Sequence, residues 1–185
     1  MKYLIISFFA ILLLFSCQKQ SEISKSFNCE STSFKNLEET KDVKKLFTLQ
    51  LPKSWKTNLY YDETQSSIYT ADTTKQLTET LLLDVTFIRN SINFDEAFKL
   101  KQEQESLGKQ LIQTEGKEVI LLDKPSYYTL SKGKKGVYKY EVCQAFIKLN
   151  EQNFILAKAE IYGDSLVNKR MCEAISLIEN IKINQ

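Results

Sequence analysis

The residue types that this chain lacks narrow the chemistry it could perform. Its 185 residues include no histidine and only two arginines, Arg89 and Arg170. Histidine is the usual general base near neutral pH and the commonest metal ligand, and arginine is the residue best suited to clamping phosphate or carboxylate groups. Histidine-dependent catalytic triads and histidine-bearing zinc sites are therefore excluded. We expect no catalytic residues, no metal site and no cofactor.

Two pairs of adjacent carboxylates are the remaining candidates for acid–base chemistry. Asp62 with Glu63 falls in a polar turn, and Asp95 with Glu96 falls at the start of a predicted helix. Acidic residues are common in turns, where they bond to the backbone, and in the first turn of a helix, where they face its positive end. A structural role is the better interpretation of both pairs.

The charge of the chain does not indicate a strongly charged partner. It has 25 basic and 23 acidic side chains, a net charge of +2, so we expect no nucleic-acid partner. Lys132, Lys134 and Lys135 cluster near two glycines and could form an anion-binding or membrane-surface patch. Because no aromatic residues alternate with them, a solvated hairpin tip is the favoured interpretation.

The first seventeen residues form a recognisable pattern. Lys2 is followed by an apolar run from Tyr3 to Phe15 and then by Ser16 and Cys17. The run is too short for a stable membrane span and has the layout of a secretory signal. It resembles a bacterial lipoprotein signal of the Bacteroidota type, although Phe15 is bulkier than usual. An ordinary signal, or a buried helix with a chance cysteine, is the alternative.

This resemblance implies cleavage after Ser16 and attachment of acyl chains to Cys17, which would hold the protein to a membrane. Two or three acyl chains make such anchorage effectively permanent. Gln18 follows the cysteine where an aspartate would favour the inner membrane, so we expect the outer membrane, facing the periplasm. Residues 1–16 are thus predicted as signal peptide, and residues 17–45 as the lipidated cysteine and a polar tether.

Three cysteines remain once Cys17 is lipidated. Cys143 lies inside an apolar strand pattern, where a free thiol packs as a small hydrophobic group. Cys29 and Cys172 are the favoured disulfide pair, because an extracytoplasmic compartment permits disulfides and Cys172 lies on the flank of a predicted helix. A chain with all three thiols free remains the alternative.

Alternating apolar and polar residues predict strands through much of the remaining chain. They are expected at residues 46–51, 55–61, 67–71, 80–88, 109–113, 118–122, 127–130, 137–149 and 153–162. Helical spacing predicts two helices and a short closing strand. These are a helix over 93–107, capped by Asn93 and Glu96, with Phe94, Ala97, Phe98, Leu100 and Leu107 on its apolar side; a helix from Asp164 or Ser165 to about Ile178; and a strand at 181–183.

Successive antiparallel strands with inserted helices predict an α+β fold, an antiparallel sheet flanked by helices in an α/β/α sandwich. The segment from Phe47 to Trp55, FTLQLPKSW, resembles the opening strand, proline and tryptophan of PsbP-like domains, which include Mog-type Ran-binding proteins. Ser54 stands where many members have glycine. The order of elements over residues 46–185 fits the same family, while cystatin-like and lipocalin-like folds are the alternatives.

The PsbP-like resemblance implies a non-catalytic accessory domain that binds another protein. We therefore predict a lipid-anchored lipoprotein of the cell envelope with a protein partner. The alternative is a periplasmic carrier of a small ligand, with a pocket lined by aromatic residues. The candidates for that lining are Tyr60, Tyr127, Tyr128 and Tyr140.

Overall fold

A seven-stranded antiparallel sheet is the centre of the structure. The computed structural model describes residues 20–30 and 32–184, so the predicted signal peptide and Cys17 lie outside the described residues. The strands follow the spatial order β3-β4-β5-β9-β8-β7-β6. Their bounds are β3 Lys56–Tyr61, β4 Gln65–Ala71, β5 Leu82–Ile88, β6 Leu111–Leu121, β7 Lys124–Lys135, β8 Tyr138–Lys148 and β9 Phe154–Tyr162.

A smaller antiparallel sheet and three helices complete the described elements. The smaller sheet has the order β1-β2-β10, with β1 at Leu37–Lys41, β2 at Phe47–Pro52 and β10 at Lys182–Ile183. The helices are α1 at Glu22–Ser26, α2 at Glu96–Gly108 and α3 at Val167–Glu179. Helices lie on both faces of the large sheet, which confirms the predicted α+β architecture.

The inner face of the large sheet holds the main core. Side chains of the central strands that are fully buried, such as Ala145, Ile155 and Ala157, pack there against α3 and β2. The apolar stripe of α3 includes Met171, Ile175 and Ile178. Strand β9 buries alternate residues on this face because successive side chains of a strand point to opposite sides. We therefore define the inner face as the side of the large sheet covered by α3 and the small sheet.

The outer face carries α2 and a smaller aromatic cluster. Phe98 of α2 packs edge to face against Phe146 at 5.1 Å and Tyr127 at 5.6 Å between ring centroids. Asp95, rather than the predicted Asn93, caps the helix by accepting a hydrogen bond from the Phe98 backbone N–H at 2.9 Å. α2 therefore covers the β6–β7–β8 side of the outer face.

The orientation of α2 differs from the sequence-based expectation. Leu100 and Leu107, predicted to face the core, are 55 % and 63 % exposed, whereas Gln102 and Ser106 are buried. The Ser106 hydroxyl lies 2.9 Å from the hydroxyl of Ser131 on β7. Helix α2 packs on a sheet face that is itself partly polar, so hydrophobic spacing alone assigned the wrong residues to the buried side.

Residues 20–45 also differ from the predicted polar tether. Ile23 of α1 is fully buried, and β1 pairs along its length with β2. In the turn between these strands, the buried Asp42 carboxylate accepts hydrogen bonds from the Phe47 backbone at 2.9 Å and from the Ser66 hydroxyl of β4 at 2.6 Å. Composition did not reveal this segment because it is held by single apolar anchors, backbone pairing and long-range polar contacts.

Other boundaries shift without changing the architecture. The two short strands expected on either side of Gly116 are one strand, β6, with an irregular register between Gln113 and Glu115. Leu166, with a positive φ of 48°, precedes α3 and provides no side-chain cap in place of the expected Asp164 or Ser165. Within the residues described, no helix is both long enough and apolar enough to cross a membrane.

Candidate functional site

The outer face of the large sheet is only partly covered, and its exposed part is the candidate site. Because α2 packs against β6, no helix among residues 20–30 and 32–184 lies above the opposite half, formed by β3, β4, β5 and the Lys158–Tyr162 end of β9. We call this half the open face. Its outward-pointing side chains are paired across neighbouring strands. They include Tyr60, Ser67, Tyr69, Asp84, Thr86 and Lys158.

A buried carboxylate lies where the open face meets β8. Glu160 of β9 is 8 % exposed. Its Oε1 atom lies 2.7 Å from Lys158 Nζ, and its Oε2 atom lies 3.7 Å from Lys135 Nζ. The Tyr162 hydroxyl donates to Oε2 at 3.2 Å. A carboxylate removed from water is stable only when it is paired and hydrogen-bonded in this way.

Two neighbouring tyrosines, Tyr140 and Tyr162, contact the charged groups around Glu160. The rings of Tyr140 and Tyr162 lie side by side on β8 and β9, with their centroids 4.8 Å apart. The Lys135 ammonium group lies 5.1 Å from the Tyr140 centroid and 5.3 Å from the Tyr162 centroid, within the range of a cation–π contact. We call Lys135, Tyr140, Lys158, Glu160 and Tyr162 the Glu160 cluster.

The surroundings of the Glu160 cluster shift the pKa values of its members away from neutral pH. Burial opposes ionisation of Glu160, but the hydrogen bond and charge of Lys158 outweigh it and keep the pKa of Glu160 below its usual range. Burial, reinforced by the charge of Glu160, raises the pKa of Tyr140. A hydrogen bond with Tyr162 raises the pKa of Lys135. Near neutral pH these three groups keep one protonation state, which suits binding better than proton transfer.

Asp84 has a different environment although it lies beside the cluster. It stands opposite Lys158 in the pairing of β5 with β9. Its Oδ1 atom accepts a hydrogen bond from the Thr86 hydroxyl at 3.0 Å. Burial raises the pKa of Asp84, and neither that hydrogen bond nor the charge of Lys158 is strong enough to reverse the shift. The neighbours of Asp84 therefore do not fully offset the cost of burying its ionised form.

The structure does not bring the predicted ligand-binding tyrosines together. Tyr60 is 57 % exposed on the edge strand β3, and Tyr127 is buried beneath α2. Tyr128 is fully buried on the inner face, where its hydroxyl bonds to Glu115. Tyr140 alone belongs to the Glu160 cluster. Tyr128 lies on the opposite face from the other three, which are themselves separated at the sheet edge, beneath α2 and in the Glu160 cluster, so these four residues do not line one pocket.

The carboxylate pairs serve local structure. Asp62 Oδ1 accepts hydrogen bonds from the backbone N–H groups of Thr64 at 2.7 Å and Gln65 at 2.9 Å, in the turn between β3 and β4. Asp95 caps α2, and Glu96 lies 3.1 Å from Lys99 one turn further on. Asp62, Asp95 and Glu96 thus contribute to a turn or a helix start, which agrees with the structural interpretation of these acidic pairs.

The cysteines occupy distinct environments. Cys29 and Cys172 form a disulfide that joins the segment after α1 to α3, with their Cα atoms 5.3 Å apart. Cys143 is a free, fully buried thiol on β8, and burial raises its pKa to about 12. A thiol with so high a pKa has almost no reactive thiolate at neutral pH. Neither arrangement provides a nucleophile at the open face.

Sequence reasoning did not single out Lys158, Glu160 or Tyr162. A signal for the first two was present, because Lys158 and Glu160 are two residues apart in the otherwise apolar strand FILAKAEIY. Alternation places both on the same face. The role of Lys135 was not visible, since its contact with Glu160 depends on the pairing of β7, β8 and β9. Among residues 20–30 and 32–184, no group of three or more acidic or cysteine side chains is placed to hold a metal ion.

Solved structures of other proteins share this fold, although no related sequence matches. No protein-family model matches the sequence, and no curated protein sequence matches it. Among solved structures, it is similar to cyanobacterial PsbP (CyanoP) from Synechocystis sp. PCC 6803, with a TM-score of 0.55, 8 % identity, and coverage of 84 % of this chain and 97 % of that one. It is also similar to the Saccharomyces cerevisiae Ran-binding protein Mog1p, with a TM-score of 0.54, 10 % identity, and coverage of 80 % and 95 %.

A third similar structure comes from Bacteroides thetaiotaomicron VPI-5482. Its TM-score is 0.51 at 9 % identity, and the match covers 81 % of this chain but 49 % of that one. About four fifths of this chain is covered in each of the three comparisons. The chain therefore has the PsbP/Mog1-like α+β fold.

Proposed function

We propose that this protein is a lipid-anchored lipoprotein of the cell envelope, whose domain binds another protein through the open face and performs no catalysis. The observation that carries the proposal is the open face itself. No helix of the described part of the chain covers this sheet surface, and the surface combines tyrosines with fixed charges. Tyrosine is enriched in the centres of protein interfaces, where its ring supplies contact area and its hydroxyl a hydrogen bond.

The likeness to Mog1p supports the same proposal at the level of fold, since that protein of similar architecture is a Ran-binding protein. The partner of the present chain would be a different one, located at the membrane. An acylated Cys17 would hold the domain at the outer membrane, facing the periplasm. Anchorage raises the effective concentration of the domain against proteins of the same surface, so a modest interface would be occupied.

The anchor is tested by changing Cys17 to alanine in the full chain. Cells fed with labelled fatty acid should label the wild-type protein and leave the Cys17→Ala variant unlabelled, because the acyl chain is attached through that sulfur. A Cys143→Ala variant is the matched control and should be labelled as the wild type is. Labelling of the Cys17→Ala variant would contradict the lipoprotein assignment.

The binding surface is tested by site-specific photo-crosslinking in cells. A photoreactive residue at Tyr60 or Tyr69 should capture one discrete envelope protein. The same residue at Ile120 of β6, which is 55 % exposed at the opposite edge of the sheet, should not. Equal capture from both edges, or capture of nothing by either open-face position, would show that the open face is not the interface.

A further inference from the structure

A groove runs between α2 and the outer face of the large sheet, and no role has yet been assigned to it. Two cavities lie along it, one of about 220 Å³ and one of about 130 Å³. Gln144 of β8 lines both, so they adjoin. Phe98 of α2 lies beside the larger cavity, and Ser106 of α2 and Lys109, which directly follows the helix, lie beside the smaller one.

The larger cavity has an apolar floor. It is lined by Phe98 of α2, by Phe146 of β8 and by Phe154 and Leu156 of β9, together with Ile92. These residues belong to the aromatic cluster of the outer face. Lys101 and Glu105 lie at its margin and pair with each other at 3.8 Å. An aromatic or aliphatic group would fit this end of the groove.

The smaller cavity carries an excess of positive charge. Lys109, Lys135 and Lys158 line it, with Glu160 as the one carboxylate. Lys135 and Lys158 both pair with Glu160, whereas no carboxylate among the described residues lies within 4.0 Å of the Lys109 ammonium group. When Asp84, which stands opposite Lys158 on β5, is counted as well, three positive charges face two negative ones, an excess of one. This end of the groove therefore attracts an anion.

A buried amide lies between the two ends. Gln102 of α2 is 6 % exposed and lines the larger cavity, one helical turn before Ser106. Its side chain makes no hydrogen bond to another residue of the described chain. The amide atoms of Gln102 are not among the described side-chain atoms that are buried without a partner, so they reach the surface of the groove, where a polar group or water can bond to them.

We propose that this groove binds a small amphipathic carboxylate, with its apolar part against Phe98, Phe146 and Phe154 and its carboxylate among Lys109, Lys135 and Lys158. The two cavities together reach the lower end of the roughly 300–1,000 Å³ typical of small-molecule sites. Eleven residues separate Phe98 from Lys109, a helical rise of about 16 Å, which leaves room for a ring and a carboxylate joined by a short chain.

The class of anion follows from the same residues. Glu160 stays ionised beside Lys158 and would repel a dianion more strongly than a monoanion. Neither arginine lines the groove, so the bidentate geometry that favours phosphate is absent from its lining. The smaller cavity has room for about four waters at ~30 Å³ each, enough for a carboxylate group. The groove shares Lys158 with the open face, but its ligand and its test do not depend on the proposed protein partner.

The proposal is tested by calorimetric titration of the full chain, purified in a mild non-ionic detergent, with 4-phenylbutyrate. Two matched probes each lack one feature: 4-phenyl-1-butanol has no charge, and butyrate has no ring. The heat of each probe titrated into detergent alone is subtracted. We expect 4-phenylbutyrate to bind at least about tenfold more tightly than either probe, since only it occupies both ends of the groove.

Charge-matched variants locate the binding. Lys109→Gln should weaken 4-phenylbutyrate binding by roughly five- to tenfold, and Lys109→Arg should retain it. Lys134→Gln is the control, because it removes the same charge from an exposed residue beside Lys135 that does not line the groove. Circular dichroism establishes that each variant is folded. Equal affinity for the alcohol, equal weakening by Lys134→Gln, or no binding up to about 10 mM would overturn the proposal.

Discussion

The two faces of the large sheet are built from the same strands yet have opposite characters. On β9, Ile155, Ala157 and Ala159 are fully buried on the inner face, whereas Leu156 and Lys158 on the outer face are partly exposed. The inner face is closed by α3 and the small sheet. In the part of the chain that the structure describes, α2 closes the outer face on one side only, and charges and tyrosines occupy much of the rest.

The inner face therefore contributes most of the stability of the fold, and the outer face contributes less. Burial of apolar area on the inner face supplies most of the hydrophobic stabilisation, because each fully buried aliphatic side chain contributes about 1.5–3 kcal/mol. The Glu160 cluster of the outer face contributes less, since pairing of partly buried charges roughly offsets their desolvation. A surface that adds little to stability yet keeps fixed charges and tyrosines is available for binding. Substitutions on the two faces should therefore differ in size and in kind.

The largest effect is expected from the disulfide that holds the cover of the inner face. Cys29 and Cys172 are 143 residues apart in sequence, so their bond restricts the unfolded chain strongly. In the chain-entropy model, replacing both with serine should lower the free energy of unfolding by about 5 kcal/mol. Urea denaturation under non-reducing conditions measures the change.

The free thiol provides the control for this prediction. Cys143→Ala removes one buried sulfur and should cost only about 1 kcal/mol. Mass spectrometry of a non-reduced digest of the wild type should yield a peptide pair joining Cys29 to Cys172. A pair that contains Cys143 would show that the wrong cysteine had been taken as free.

Neighbouring residues of β9 give the next largest contrast. Ile155→Ala should destabilise the protein by about 3–4 kcal/mol, because it opens a cavity in the closed inner core. Leu156→Ala removes a side chain of similar size from the partly exposed outer face and should cost about 1 kcal/mol. Chemical denaturation of the two variants tests the comparison directly. Equal losses would mean that the outer face is packed as tightly as the inner one.

The sequence predicted the inner face better than the outer one, for a physical reason. Alternating apolar residues in 137–149 and 153–162 located the central strands, and helical spacing located α3. On the outer face, the buried side of α2 is lined by Gln102 and Ser106, so hydrophobicity pointed to Leu100 and Leu107 instead. Polar contacts follow strand order and register, which local patterns do not contain.

The same limit applies to residues 20–45 and to the Glu160 cluster. Asp42 bonds to Ser66, 24 residues away, and β1 is mostly exposed despite its pairing with β2. Lys135 reaches Glu160 only because β7, β8 and β9 are neighbours. Lys158 and Glu160 were identifiable as a same-face pair from the sequence, but their partners were not.

Trp55 should have an intermediate effect, because it covers one end of the inner core without being enclosed. Its ring meets that of Phe34 edge to face at 6.0 Å between centroids, and it packs partly buried against the core. Trp55→Ala should therefore cost about 2 kcal/mol, less than the ~3–5 kcal/mol of a fully buried aromatic residue. The loss is read from the denaturation midpoint.

Tyr61 provides the comparison for Trp55. It is 66 % exposed on the edge strand β3, and Tyr61→Ala should change stability by less than about 0.5 kcal/mol. An unchanged midpoint in Trp55→Ala would show that its ring is exposed in solution and belongs with the recognition surface.

The smallest expected changes in stability concern two carboxylates of the outer face, Glu160 and Asp84, whose replacement should act in opposite directions. Despite its burial, Glu160 has a lowered pKa, because Lys158, Tyr140 and Lys135 favour the ionised form. Its contribution to stability is present above its ordinary pKa of 4.5 and is lost as the pH falls through the lowered value. Asp84 has a pKa raised above 3.8 by burial, so its ionised form destabilises the fold and protonation relieves that cost.

Neutral amides should therefore act in opposite directions. At pH 7, Glu160→Gln should be less stable than the wild type and Asp84→Asn more stable. The deficit of Glu160→Gln should shrink as the pH falls through the lowered pKa of wild-type Glu160, and the advantage of Asp84→Asn should shrink as the pH falls through the raised pKa of wild-type Asp84. Urea denaturation of the three proteins at pH 7, 5 and 3.5 measures both trends. A shift of both variants in the same direction at pH 7 would contradict this prediction. It would mean that neighbouring groups do not stabilise ionised Glu160 better than ionised Asp84, and that the charges of the outer face are not fixed as described.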